Sequence, residues 1–435
     1  MLNTDDPKIR ELLLKGKYGL EKENLRVLAD GTLSRTPHPM PGDKHIVRDF
    51  SENQIEINTA PHDTVREAMR ELAGHEKRLR DRLASLDTKE YLWPFSNPPY
   101  IGGPEDIPVA QFEGEEASKT TYREHLADVY GRYKMTFSGI HVNYSFDEDL
   151  LKREAELAEE DFRSFRDGFY VDLAAKMSVY GWLIVALTAA SPVVDGSFFD
   201  PADRNDTVFT DEASLRCSKD GYWNFFDPVL DYTDISGYAE SIEKYVQDGT
   251  LDASTELYYP VRLKPSGAYD VRKLKESGAD HIELRMFDLD PLTPSNLDER
   301  DVEFAKLLMV YLAAQDPVEI TEQEQINAIR NFKEAARFDL ENVGIRMPGE
   351  DVPFTEAAES MLAGMSEFYE AASDSPEDGS EEPEDGASLA PADVLAYESE
   401  KIEDPKKRYA GRVAEAYGKD YVRKALQELT GQGRK

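Results

Sequence analysis

Cysteine is almost absent from this chain, with Cys217 the only one among 435 residues. An internal disulfide is therefore excluded, as are zinc sites built on paired cysteines. A lone thiol of this kind reads as a core residue, and the composition suits a reducing cytoplasm. Positive charge is also scarce: 51 lysines and arginines face 87 aspartates and glutamates, a formal charge of −36. Nucleic acid and anionic membrane surfaces both call for a basic face, so neither fits as a partner. The acid excess suits a protein working at high internal salt. Long apolar runs are missing too. The greasiest stretch, 169–190, is interrupted by Asp172 and Lys176 and reads as a buried helix rather than a membrane span. Met1 to Arg10 holds no signal-peptide core. No GxxxxGK[ST] phosphate loop and no nucleophile elbow occurs, and Gly102-Gly103-Pro104 is too short and stiff to cradle phosphate.

What the chain does have is carboxylate at period two. Four segments alternate acid or histidine with grease: 19–26, 53–58, 138–144 and 281–286. Side chains alternate faces along a strand. Glu21 and Glu23 therefore share a face, as do Gln54, Glu56 and Asn58, then His141 and Asn143, then His281, Glu283 and Arg285. Ile55, Ile57, Ile140, Val142, Ile282 and Leu284 point the other way. An antiparallel sheet with one face on a core reads like this. A single acidic pair is ordinarily just a solvated strand face. Four apolar-backed strands carrying them are another matter. Gathered on one sheet, the carboxylates would repel and raise one another's pKa values unless cations lay between them. Hard divalent ions, which take oxygen ligands and bridge phosphates, are the natural candidates.

Helical spacing marks 5–15, 65–83 with Asp63 as its cap, 119–130, much of 150–190, 299–315, 321–337, 354–372 and 391–429. Residues 253–265 and 280–289 read as strand. Strands and helices do not alternate regularly, which predicts an α+β fold. The run 374–386 holds seven acidic residues among thirteen and reads as a solvated loop. It separates a catalytic domain over 1–373 from a helical C-terminal part of the same domain over 388–435, with 374–387 as the loop. His38, His45, His62, His75 and His125 show no metal spacing and read as structural or surface positions. Arg216, Arg262, Lys264 and Arg285 are the cations suited to bind carboxylates or phosphates.

Nine ordered blocks, Ala190-Ser191-Pro192 among them, resemble one family. Tyr18-Gly19-Leu20-Glu21-Lys22-Glu23-Asn24-Leu25-Arg26 opens the series, followed by Asp49-Phe50 with Ile55-Glu56, and Trp93-Pro94 through Tyr100-Ile101. Thr121-Tyr122-Arg123-Glu124, Ser138-Gly139-Ile140-His141, Ser214-Leu215-Arg216, Glu256-Leu257-Tyr258 and Ile282-Glu283-x-Arg285 continue it. Together they resemble bacterial glutamate–cysteine ligase over about 18–315. The resemblance implies a glutamine-synthetase-like fold, with a curved antiparallel sheet holding substrates on its concave face. It implies ATP-dependent joining of the glutamate γ-carboxylate to the cysteine amine through a γ-glutamyl phosphate. Carried over by position, Glu21, Glu23, Asp49, Glu56, His141 and Glu283 are expected around two or three Mg²⁺ ions. Glu56 and Arg285 are expected at the reacting groups, and Lys264 at the nucleotide. Phe50, Tyr122, Leu126, Arg216, Tyr222 and Tyr258 are expected to line the cysteine pocket, with Arg216 on its carboxylate. Larger fused relatives add a glutathione-forming ATP-grasp domain, so a chain ending at Lys435 is expected to stop at γ-glutamylcysteine. The oligomeric state stays open, a monomer included. Two other readings stay open: a ligase of the same fold using another small amine, and an inactive relative that only binds nucleotide.

Overall fold

The computed structural model describes residues 1–372 and 389–431, so the acidic run at 374–386 lies outside the described residues. The chain begins with helix α1, Pro7–Leu12, and the long strand β1, Gly16–Val27. Next come β2 Ile46–Arg48, β3 Gln54–Asn58, α2 Val65–Ala84, β4 Tyr91–Leu92, α3 Ser118–Tyr130 and β5 Ile140–Phe146. Helices α4 Glu148–Ala158, α5 Phe162–Tyr180 and α6 Trp182–Thr188 follow, then a ribbon of β6 Val193–Asp195 and β7 Thr207–Phe209. Then come α7 Ile235–Gln247, β8 Val261–Lys264, α8 Val271–Ser277, β9 His281–Phe287 and α9 Glu299–Ala314. The remainder is α10 Glu322–Ala335, a hairpin of β10 Gly344–Met347 and β11 Glu350–Pro353, α11 Phe354–Ala372, α12 Pro391–Glu403, α13 Tyr409–Tyr417 and α14 Tyr421–Thr430.

The main sheet runs β2-β3-β1-β5-β9-β8, antiparallel at each step, with β4 on the end of β1. It is open, and its two faces differ as the alternation predicts. Leu20, Ile55, Ile57, Ile140, Val142, Ile282 and Leu284 are buried on one face, which α2, α5 and α6 cover. Each such side chain contributes roughly 1.5–3 kcal/mol by leaving water. Lys22 breaks the apolar rule on that face. Burial costs its ammonium hydration, and the Glu76 carboxylate of α2 compensates by pairing with it. The C-terminal helices pack onto the same body. Lys401 of α12 sits buried between Asp301 of α9 at 2.7 Å and Glu398 at 2.8 Å. Tyr421 of α14 donates to the Asn97 carbonyl at 2.7 Å.

Local details depart from the sequence reading. Thr64, not Asp63, caps α2: its hydroxyl accepts from the Glu67 N–H at 3.2 Å, while Asp63 pairs with Lys17 at the surface. The threonine sits at the last extended residue, where its oxygen reaches the first free N–H groups. The apolar stretch 169–190 is two helices bent by 54° rather than one. The break falls at Gly181, where a Cβ would come within 2.5 Å of the Met177 carbonyl. Among the described residues no single helix is long and apolar enough to cross a membrane. Within 253–265 only Val261–Lys264 is strand, because Ser254–Glu256 winds into a 3₁₀ turn.

Candidate active site

Strand register assembles the polar face. β1 and β3 set Glu23 opposite Glu56, and β1 and β5 set Glu21 opposite His141. β5 and β9 set Asn143 opposite Glu283, and β8 and β9 set Arg262 opposite Glu283. A bulge interrupts the β5–β9 pairing next to Arg285, a device that re-aims side chains at functional sites. Lys264 of β8 donates to Glu21 of β1 at 3.0 Å, although β5 and β9 lie between them. Neighbouring strands sit roughly 4.8 Å apart. Side chains standing upright on a flat sheet would not meet over three such steps, so this face is concave. It floors a cavity of about 370 Å³. The lining takes in all the residues expected from the sequence: Glu21, Glu23, Asp49, Phe50, Glu56, Tyr122, Leu126, His141, Arg216, Tyr222, Tyr258, Lys264, Glu283 and Arg285.

The carboxylates fall into two groups. Glu283 is the hub of the first. Burial alone would raise its pKa, but Arg285, Lys264 and Arg262 outweigh burial and hold it well below the usual range. Arg285 Nη1 lies 3.1 Å and Lys264 Nζ 3.2 Å from the same Glu283 oxygen. Glu21 belongs with it: burial and Glu283 push it up, but His141 and Lys264 pull it down to about 2. His141 is held neutral, at about 4, by burial and by Arg285. Its Nδ1 lies 3.1 Å from Glu21 and its Nε2 3.7 Å from Glu23.

The second group has weaker cover: Arg216 and Arg285 act on Glu23 but do not outweigh its burial. Burial and the nearby Asp49 raise Glu23 to about 8, and burial with Glu21 and Asp49 raises Glu56 to about 8. Glu23 accepts from the Gly139 N–H at 2.9 Å and Glu56 from Asn58 Nδ2 at 2.6 Å. These bonds do not offset the lost hydration.

The donor set fits a hard divalent cation. Glu21, His141 and Glu283 hold ligand atoms within 4.8 Å of one another. Among the described residues, Glu283 Oε2 is buried without a hydrogen-bond partner. The cations near Glu23 do not offset its burial, and Glu56 is perturbed chiefly by burial and neighbouring carboxylates. Oxygen-rich sites with one imidazole suit Mg²⁺ or Mn²⁺ better than softer ions. A consequence follows for pH. Near neutrality Glu23 and Glu56 carry protons that a cation must displace, so divalent-cation binding at pH 7 is expected to release up to two protons and to tighten as pH rises toward 8. Calorimetry in two buffers of different ionisation enthalpy measures the release. Binding with no proton release would contradict this charge distribution.

The wall over the carboxylates is aromatic and cationic. Tyr222 and Tyr258 pack with ring centroids 4.1 Å apart. Arg216 donates to the Arg285 carbonyl at 2.7 Å. A Cβ on Gly139 would fall 2.4 Å from the Arg216 guanidinium carbon, so only glycine lets that side chain lie there. Helix α3 supplies the roof. Lys119 and Arg123, overlooked in the sequence, line the cavity with Tyr122 and Leu126. Their spacing of three and four is one helix face, and that was the signal available. Arg123 donates to the Asp49 carbonyl at 2.5 Å and stacks on Phe112. A second groove of about 570 Å³ shares Glu21, Glu56 and Lys264 and runs past Asn58, Asn143, Ser266, Gly267 and His281.

A concave antiparallel face pairing carboxylates with cations, under an aromatic roof, has the chemistry to hold small anions and divalent cations together. The chain belongs to the glutamate–cysteine ligase family, whose model matches residues 2–250 and 227–335. It is 32% identical over 431 residues to the glutathione biosynthesis bifunctional protein of Listeria monocytogenes, covering 96% of this chain and 54% of that one. It is 35% identical over 342 residues to the protein of the same name from Clostridium perfringens, covering 75% and 43%. The chain thus spans about half the length of these relatives. Its fold matches a bifunctional glutathione synthetase from Pasteurella multocida with TM-score 0.80 and 26% identity over 98% of this chain and 53% of that one. It also matches a glutamate–cysteine ligase from Francisella tularensis, solved with AMP, with TM-score 0.81 and 21% identity over 97% and 89%. The second likeness speaks to the fold.

Proposed function

We propose that this chain joins the γ-carboxylate of glutamate to the amine of cysteine at the expense of ATP, giving γ-glutamylcysteine, ADP and phosphate. The observation that carries the reading is the division of one concave face into neutralised and un-neutralised carboxylates beside a cationic aromatic pocket. A carboxylate does not acylate an amine at neutral pH, because oxide leaves poorly. Transfer of the ATP γ-phosphoryl group to the side-chain carboxylate of glutamate removes that obstacle. Two anions must then approach each other, and Arg285 stands where their charge is greatest. Two or three Mg²⁺ ions held by Glu21, Glu23, Asp49, Glu56, His141 and Glu283 would supply the remaining charge compensation when bound. Lys264, placed between Glu21 and Glu283, keeps the floor ordered and faces the outer groove of about 570 Å³, where we place the nucleotide.

Cysteine sits on the opposite side. Arg216 takes its carboxylate, while Phe50, Tyr122, Leu126, Tyr222 and Tyr258 enclose its small side chain and keep water from the acyl phosphate. Positioning the amine near the acyl carbon supplies much of the rate. The pocket tolerates 2-aminobutyrate, since a change on the scale of one methylene discriminates only ~10–200-fold. Glutamate labelled with ¹⁸O in its γ-carboxylate tests the chemistry. One label per turnover should appear in phosphate, and unlabelled phosphate would discard the acyl phosphate. Arg216→Ala should raise the KM for cysteine at least tenfold and leave that for glutamate nearly unchanged in steady-state assays. An unchanged cysteine KM would remove Arg216 from that role.

A further inference from the structure

Outside the cavity, three of the chain's seven histidines surround a single carboxylate. His45 precedes β2, His62 follows β3, and Glu71 and His75 lie one turn apart on α2. The ligand atoms of His45, Glu71 and His75 all fall within 4.8 Å of one another. His75 Nε2 is 3.1 Å from Glu71 Oε1, and His62 Nε2 is 2.5 Å from Oε2. The His45 and His75 rings stack at 4.7 Å. His45 gives its Nδ1 proton to the Asn58 carbonyl at 2.9 Å, which leaves a lone pair on Nε2. A carbonyl behind one ring nitrogen is the usual orienting contact of a metal-bound imidazole. His62, Glu71 and His75 are partly exposed, so solvent reaches the group.

We propose that His45, Glu71 and His75 form a second cation site, for one transition ion of the zinc class, with His62 orienting the Glu71 carboxylate from its other oxygen. The donors decide the class. Imidazoles with one carboxylate suit Zn²⁺, Co²⁺ and Ni²⁺, whereas the oxygen-rich cavity suits Mg²⁺. Such an ion would tie the 43–45 loop, the 60–62 turn and α2 together. The site borders the active cavity through Asn58, whose carbonyl orients His45 and whose amide holds Glu56. Arg78 competes with the ion. Its Nη2 donates to His75 Nδ1 at 3.0 Å, and its Nη1 pairs with Asp43 at 2.7 Å. His75 therefore carries its proton on Nε2. On binding, the ion replaces that proton, the imidazole takes the Nδ1 tautomer, and Arg78 releases His75 while keeping Asp43.

The test is a Co²⁺ titration of the full chain with Mg²⁺ in large excess, read by visible d–d absorption and checked by Zn²⁺ competition. One equivalent should bind with imidazole-type bands. His45→Ala with His75→Ala should weaken binding at least a hundredfold while Mg²⁺-supported activity and the metal-free melting curve stay unchanged. Arg78→Ala should tighten binding severalfold, a gain that misfolding cannot produce. His141→Ala, in the cavity, should leave it intact. Stoichiometric binding that survives the double substitution, binding lost only in His141→Ala, or no binding at all would each overturn the site.

Discussion

Arg285→Ala is expected to lower turnover roughly 100- to 1,000-fold, the usual consequence of removing one preorganised donor at developing negative charge. Arg285 is partly buried, and Glu283 and Glu21 outweigh the loss of hydration and raise its pKa, so its charge is permanent. It faces the cavity from β9 beside the bulge, and Arg216 is fastened to its backbone carbonyl. The loss should appear in kcat more than in KM if the guanidinium acts mainly on the transferring phosphoryl group. Lys264 and Arg262 still neutralise Glu283 in the variant, so the fold should survive. Steady-state kinetics with a melting curve measures both. Near-normal kcat in a folded variant would remove Arg285 from the chemistry.

Glu283→Gln is expected to destabilise the metal-free protein by roughly 3–5 kcal/mol, because it strands Arg285, Lys264 and Arg262 without their shared anion. Glu56→Gln makes the contrast. The Glu56 carboxyl, raised to about 8, holds a proton at pH 7 in the metal-free protein, and glutamine mimics that neutral form. A group with a raised folded pKa stabilises most below its unfolded value and loses that contribution as pH climbs toward 8. Glu56→Gln should therefore already raise stability at pH 6, which lies above the ordinary carboxyl range, and raise it further at pH 9, while cutting turnover at least a hundredfold. Melting temperatures of the two variants at both pH values decide the matter. Equal destabilisation by both would mean the two groups of carboxylates do not exist.

The floor of the site was legible because period-two alternation names which residues share a face. Glu21 with Glu23, and Glu283 with Arg285, need nothing beyond that rule. Register was not legible. That Glu23 meets Glu56 and Glu21 meets His141 depends on which strands become neighbours, and 435 residues allow many pairings. The split in charge was hidden for the same reason. The sequence reading assigned the counter-charge to metal ions, whereas Lys264, Arg262 and Arg285 supply part of it from the protein. Lys264 reaches Glu21 only because the sheet is concave, a property no local pattern encodes. The roof was half legible, with Tyr122 and Leu126 identified but Lys119 and Arg123 on the same helix face overlooked. His45, His62 and His75 read as isolated because they come from two loops and a helix that only the fold brings together.

The most direct measurement is a matched product assay with Mg-ATP, glutamate and cysteine, with 2-aminobutyrate, alanine, glycine and simple amines in parallel. ADP release and product mass are followed together. The account predicts γ-glutamylcysteine formed one-to-one with ADP, with 2-aminobutyrate a weaker substitute. ADP release with a clearly preferred different amine would contradict the substrate, and nucleotide binding with no ADP from any amine would contradict the enzyme.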